Sequence, residues 1–307
     1  MRIAVLADTH GNLPALEAVL ADIRGQSVDA FVVAGDFTGG PQPQETIDLL
    51  RSFDGWLVRG NSERYVLDYH AGKAPEAWLT GEQWATFRWS YQRLDPETID
   101  FIAALPEQRA VALDGTTPIC VVHGSPSSPF EFLYPDRDPV ALALFRRAGL
   151  LPPGRVAPSL ASALARVDED VLVCAHSHIA WIQEEDGKLV LNPGSVSGAN
   201  NGDVRAQYAL LTWEQGRWQA TLRAVAYDLA QIRAAYRDTG LLAAGGVMAE
   251  AFLLDILTAE NVPGRFMAHT RQLAAAAGLG AGDVVPDDVW QEAIVTFDWG
   301  PGAGLGE

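Results

Sequence analysis

Asp8 and His10 stand two residues apart, as do His176 and His178, and both pairs follow an apolar run ("RIAVLA" and "VLVCA"). In an extended segment residues i and i+2 point to the same side, so each pair converges on one point. Asp36, Asn61 and His123 close three further apolar runs. Imidazoles, carboxylates and one amide, without a thiolate, make a donor set for borderline or hard divalent ions. Four His, two Asp and one Asn exceed the needs of one ion, and two ions fit if one carboxylate bridges them. Two ions ~3.5–4 Å apart are the usual apparatus for hydrolysing phosphate esters. The competing chemistry, oxygen activation, draws on Glu-x-x-His helices, and the chain has none. His70 and His269 lie in helical context and read as ordinary surface or packing residues.

Seven donors at strand ends need a sheet that brings those ends together, and ligands of open α/β sheets collect there. The first third alternates accordingly: "RIAVLA", "DAFVVAG" and "GWLVRG" read as strands, with amphipathic helices at 13–24 and 43–52 between them. Continuous rather than alternating hydrophobicity implies strands covered on both faces. Residues 63–105 read as helices punctuated at Asp95-Pro96 and Leu105-Pro106. "TPICVVHG" and "DVLVCAH" read as buried strands, followed by two hairpins turning at Asp186-Gly187 and Gln215-Gly216. Asp228 caps a helix over 229–238, and residues 246–277 read as two helices broken at Pro263-Gly264. The division is therefore a domain at 1–228, a helical extension at 229–298 packed on it, and a frayed tail at 299–307.

The net charge of −17, with Lys73 and Lys188 the only lysines, argues against a general nucleic-acid surface. A polyanionic substrate would have to be held locally, with bound metal supplying positive charge. No apolar run reaches spanning length, a strand begins at residue 2 with no room for a cleavable signal, and the chain reads as cytoplasmic. Cys120 and Cys174 lie inside apolar runs and read as buried free thiols.

The ordered set "DTH", "GDFTGGP", "GNSE", "VVHGSP", "AHSH" and "NPGSV" resembles the calcineurin-like metallophosphoesterase superfamily, in particular its compact prokaryotic branch with the Asn-Pro-Gly-Ser-Val signature. The resemblance implies a four-layer α/β/β/α sandwich of two mixed sheets packed face to face and flanked by helices, with the helical C-terminal extension outside the match. It implies that Asp8, His10, Asp36 and His178 hold one metal and that Asp36 bridges to a second held by Asn61, His123 and His176. Manganese is the first choice of metal, with iron, zinc or nickel as alternatives. The reaction implied is phosphodiester or nucleotide-type hydrolysis by a metal-bridging hydroxide, with a small phosphate ester as partner. Dinucleoside polyphosphate hydrolysis, phosphoprotein dephosphorylation, or a non-catalytic scaffold of the same fold are the alternatives.

Some positions depart from the family pattern. Ser62 occupies the seat where many relatives keep a histidine that protonates the leaving group, and a hydroxyl cannot replace imidazole near neutral pH. Leaving groups that need little protonation are then favoured, and Ser62 or Asn61 can also cap the helix that follows. Ala175 and Ser177 replace Gly and Thr, and Ala199 and Asn200 replace a Pro-Arg. Arg59 and Arg64 flank the site in sequence and are the candidate substrate contacts. The apolar residues of the C-terminal segment have three possible uses: packing on the parent domain, forming a homo-oligomer contact, or covering the site.

Overall fold

Every strand ending in a candidate ligand is interior to a sheet or paired along its length, which explains its continuous apolar run. The computed structural model describes residues 1–280 and 284–300. Its strands are β1 (Arg2–Leu6), β2 (Ala30–Ala34), β3 (Gly55–Val58), β4 (Gln108–Val111), β5 (Ile119–Val122), β6 (Val171–Val173), β7 (Trp181–Glu185), β8 (Lys188–Asn192), β9 (Ala206–Glu214) and β10 (Arg217–Val225). One sheet runs β10-β9-β1-β2-β3 and the other β4-β5-β6-β8-β7. The β1–β2–β3 and β5–β6–β8 pairings are parallel and the rest antiparallel, so both sheets are mixed.

Ile3, Val5, Val32 and Leu211 of the first sheet meet Val121, Val173 and Leu191 of the second in one buried layer. The outer face of the first sheet is covered by α1 (Leu13–Arg24), α2 (Pro43–Arg51), α3 (Asn61–His70) and α6 (Pro96–Ala104), through residues such as Leu16, Ile47, Val66 and Ile102. Between α3 and α6 lie α4 (Glu76–Thr80) and α5 (Ala85–Tyr91). The outer face of the second sheet is covered by α7 (Pro139–Arg147) and α8 (Leu160–Leu164). The result is the helix-sheet-sheet-helix sandwich. Because both faces of each sheet are buried, period-two alternation is absent from β1, β2, β5 and β6, and only their ends reach polar surroundings.

The C-terminal chain forms α9 (Leu229–Asp238), capped by the Asp228 carboxylate on the Ala230 N–H, then α10 (Leu241–Thr258), α11 (Val262–Ala276) and α12 (Asp287–Thr296). Two expectations need correction here. The break between the two long helices lies at Ala259 and Asn261, both at positive φ, and not at Pro263-Gly264. Pro263 instead sits in the first turn of α11, where its missing N–H costs no bond, and the Asn261 side chain accepts from the Gly264 N–H. In addition, α10 has the length and composition of a membrane span, which no run was expected to reach. Glu250, Asp255 and a non-helical Gly246 interrupt it, and Leu241, Ala249, Leu253 and Ile256 pack against Trp89 of α5 and Ile232 and Tyr236 of α9. Strand β4 and helices α7, α8 and α12 were not among the expected elements; β4 and α8 are short, whereas α7 carries a legible Asp138-Pro139 start. The tail at 301–307 lies outside the described residues.

Candidate metal centre

Past the end of β1 the chain stays paired with the segment after β2: the N–H groups of Asp8, His10 and Gly11 donate to the carbonyls of Gly35, Asp36 and Phe37. Asp8, His10, Asp36, His176 and His178 all take positive φ, between 40° and 66°. Each such residue without glycine's freedom costs on the order of 1–2 kcal/mol, so the conformation persists only where other bonds impose it. Those bonds are present. Ser197 N–H and Ser195 Oγ donate to the Asp8 carbonyl, and Asn192 Nδ2 donates to the Ala175 carbonyl and to Ser177 Oγ. The "NPGSV" loop thus pins the two turns that carry Asp8 and His176.

All seven predicted donors converge. Asp8, His10 and His178 form one cluster and Asp36, His123 and His176 a second, each with its donor atoms mutually within 4.8 Å. Asn61 joins the second, its Oδ1 3.0 Å from His123 Nε2. Asp36 Oδ2 lies 3.7 Å from His10 Nε2 and 3.4 Å from His123 Nε2, between the clusters. Its other oxygen, Oδ1, accepts from the Ser62 N–H at 2.8 Å and hydroxyl at 2.9 Å. The Nδ1 atoms of His10, His123 and His178 face the carbonyls of Thr38, Ala34 and Gly198, which leaves every Nε2 aimed at the centre. Phe132 stacks flat on the His176 ring at 4.5 Å.

Whether this donor set suits metal is tested by Asp8. It is fully buried, and both carboxylate oxygens lack any hydrogen-bond partner. Its nearest ion-pair partner is His178 Nε2, 3.4 Å from Oδ1; a buried carboxylate satisfied only by imidazoles at that range costs several kcal/mol, and cations in the two clusters would supply the bonds it lacks. Asp8, His10 and His178, with Asp36 between them and Asn61, His123 and His176, fit two divalent cations by donor chemistry.

Electrostatics carry the same imprint. Burial disfavours ionised Asp36, but the charge and hydrogen bond of His123 outweigh it and hold the carboxyl well below its usual range. Asp8 is likewise held low, burial being outweighed by His178. Burial also disfavours protonated His123 and His178, yet Asp36 raises His123 to about 10 and Asp8 raises His178 to about 9. His176, buried and beside His123, falls to about 4. Without metal, the His123 and His178 pairs contribute stability that is complete below their ordinary pKa of 6.5 and is lost as pH rises through about 9 and 10. Metal must displace both protons. Loading at pH ~7.5 should therefore release about two protons per chain, counted by calorimetry in buffers of different ionisation enthalpy. Zero release would show the imidazoles already neutral.

Other predicted residues sit differently. Gly60, not Asn61 or Ser62, is the N-cap of α3. A side chain at Gly60 would overlap Asp36, so glycine is required there and the cap falls one residue early. Ser62 is 1% exposed and lines the cleft, its hydroxyl against Asp36 Oδ1 and Glu63 Oε1, so it braces the shared carboxylate. Arg59 and Arg64 both reach Glu107, at 3.6 and 2.8 Å, on the surface between α6 and β4, and neither lines the cleft. Cys120 and Cys174 are buried free thiols.

Three features lacked a sequence signal. Glu63, fully buried, accepts the N–H groups of Asp36, Phe37, Thr38 and Gly60 and the hydroxyl of Thr38. Burial and the nearby Asp36 raise its pKa even so. Its place three residues after the N-cap, the acidic half of a capping box, was the one available hint. Arg271 and Asp255 reach the centre's cleft from α11 and α10. The cleft has a volume of about 380 Å³.

A family model described as the calcineurin-like phosphoesterase superfamily domain matches residues 1–216. The chain belongs to the calcineurin-like phosphoesterase superfamily. An uncharacterized protein of Methanocaldococcus jannaschii is 26% identical over 250 residues, spanning 74% of this chain and 88% of its own. A metallophosphoesterase from Sphaerobacter thermophilus superposes with a TM-score of 0.59 at 26% identity, over 80% of this chain and 99% of that one. A hypothetical protein from Pyrococcus horikoshii shares the fold at 20% identity, with a TM-score of 0.61 over 78% of this chain and 94% of its own. Membership in this superfamily supports a phosphoester hydrolase, and the two clusters support divalent metal.

Proposed function

We propose that this phosphoesterase-superfamily chain is a dinuclear, metal-dependent phosphodiesterase. The observation that carries the reading is the shared carboxylate: one oxygen of Asp36 lies within 3.7 Å of an imidazole nitrogen from each cluster. Asp8, His10, Asp36 and His178 would hold one divalent ion, and Asp36, Asn61, His123 and His176 the other, with manganese first. When bound, the pair supplies a water of lowered pKa and neutralises charge on the phosphoryl oxygens. The chain's own part is orientation. Three backbone carbonyls fix the tautomers of His10, His123 and His178, and Ser62 holds Asp36 so that only Oδ2 is free for the metals. Residues 1–228 act as the catalytic domain, with 229–298 packed on it.

A diester is favoured over a polyphosphate because Arg271 is the sole Lys or Arg among the described residues that line the cleft. The test is a comparison of rates, with manganese, on a phenyl phosphodiester, a phosphomonoester and a dinucleoside polyphosphate. The diester should turn over fastest, with about two metal ions per chain, and a chelator should abolish turnover. A protein that takes up no metal under replete conditions and hydrolyses none of the three would be a scaffold.

A further inference from the structure

The wall of the cleft opposite the metal clusters comes from α10 and α11, beyond the residues 1–216 that define the superfamily domain. Phe252 and Met267 stand on that side, and Tyr65, Trp84 and Phe87 face them from α3 and the turn into α5. The rings hold one another edge-on: Tyr65–Trp84 at 5.4 Å and 77°, Tyr65–Phe87 at 5.0 Å and 64°, Phe87–Phe252 at 6.2 Å and 89°. Trp84 is further stacked on Trp78 at 4.3 Å, so its plane is set before any ligand arrives. A cleft of about 380 Å³ beside the clusters accepts a phosphate together with a ring-sized group.

We propose that these rings form a subsite for an aryl group on the substrate, so that the ligand is a singly charged aryl phosphodiester. The proposal rests on the phosphodiesterase reading and names its substrate class. Fixed edge-to-face rings and a methionine thioether favour an aromatic occupant over an alkyl chain, because ring quadrupole and sulfur–ring contacts add to area burial. A nucleobase needs polar partners along its edges; Gln83, the Tyr65 hydroxyl, Asp255 and Asn261 line these walls, but Trp84, Phe87, Phe252, Ile256 and Met267 make them mostly apolar. Outside the two clusters, Arg271, exposed and in no ion pair among the described residues, is the one Lys or Arg lining the cleft in a chain of net charge −17, so beyond the metals there is no further Lys or Arg for a chain of phosphates.

The test measures binding to the manganese-loaded protein by calorimetry, with diphenyl phosphate, dibutyl phosphate and the methyl ester of thymidine 5′-phosphate as probes. Diphenyl phosphate should bind about tenfold tighter than either of the others, the scale of one or two aromatic contacts. Phe252→Leu should narrow the diphenyl-to-dibutyl ratio to about threefold or less, again the scale of one contact. Trp84→Leu, on the other wall, should do the same and stands in if Phe252→Leu fails to melt cooperatively. Arg271→Gln should weaken all three probes by a similar factor and leave their ratios unchanged. Equal affinity for diphenyl and dibutyl phosphate in the wild type, tighter binding of the thymidine ester, or ratios untouched by both wall variants would overturn the subsite. Binding that keeps the aryl preference without any metal-dependent hydrolysis would uphold the subsite and remove the phosphodiesterase reading. Hydrolysis without the preference would do the reverse.

Discussion

Asp36→Asn should lower phosphodiester turnover by about 10³-fold or more while leaving the chain folded. The carboxylate's Oδ2 lies 3.7 Å from His10 Nε2 of the first cluster and 3.4 Å from His123 Nε2 of the second, closer to both than Asp8 Oδ1, which is 4.0 Å from each. An amide in its place loses the negative charge, and its nitrogen cannot accept a metal bond. Losing one Lewis-acid centre removes several kcal/mol of transition-state stabilisation, and each ~1.4 kcal/mol is a factor of ten. Metal analysis should fall from two ions per chain to one or fewer, and kcat/KM should fall with it. Activity within tenfold of wild type would mean that Asp36 does not join the two clusters. The metal-free variant should also show a lower pKa for His123, because Asp36 is what raises it against burial.

The second large effect concerns a residue with no ligand role. Glu63→Gln should cost about 3 kcal/mol or more, since either orientation of the amide turns an NH2 group toward backbone N–H groups that now donate to carboxylate oxygens. Oε2 accepts from Asp36 and Gly60, and Oε1 from Phe37 and Thr38, all without access to water. Two bonds are lost and two buried donors are left unpaired, at roughly 1–3 kcal/mol each. For a chain of this size the melting temperature should fall by about 6–12 °C, at ~2–4 °C per kcal/mol. Scanning calorimetry checks the value. Because the same carboxylate holds the 36–38 loop, metal affinity should weaken as well, by the 10–100-fold that loss of outer support typically costs. Unchanged melting would show that this anion does not tie the loop to α3.

The difference between these two residues marks what was legible. Asp36 announced itself by type and place, an acid directly after a buried strand. Glu63 shares its place, third in a helix, with Glu45 of α2, and only its burial beneath the 36–38 loop distinguishes it. Arg59 and Arg64 misled for a related reason. Nearness along the chain to Asn61 says nothing about direction, and both turn to Glu107 instead. Arg271 lies 210 positions beyond Asn61 in the sequence (271 − 61), yet it shares the same cleft.

The strands other than β4, the two hairpins, α1, α9 and the seven donors followed from the sequence alone, because periodicity, turn chemistry and donor type act within a few residues. Membership in the superfamily was visible for the same reason, in short motifs that each encode a local turn. Tertiary structure decided the rest. It alone placed one Asp36 oxygen between two clusters, and it set the Ser62 N–H and hydroxyl against the other oxygen of that carboxylate. It also brought Phe252, Met267 and Arg271 over the centre. Those arrangements depend on contacts between segments 25 to more than 200 residues apart, where the chain's order carries no information about direction until the sheets have packed and α10 has folded back against α5 and α9, carrying α11 with it.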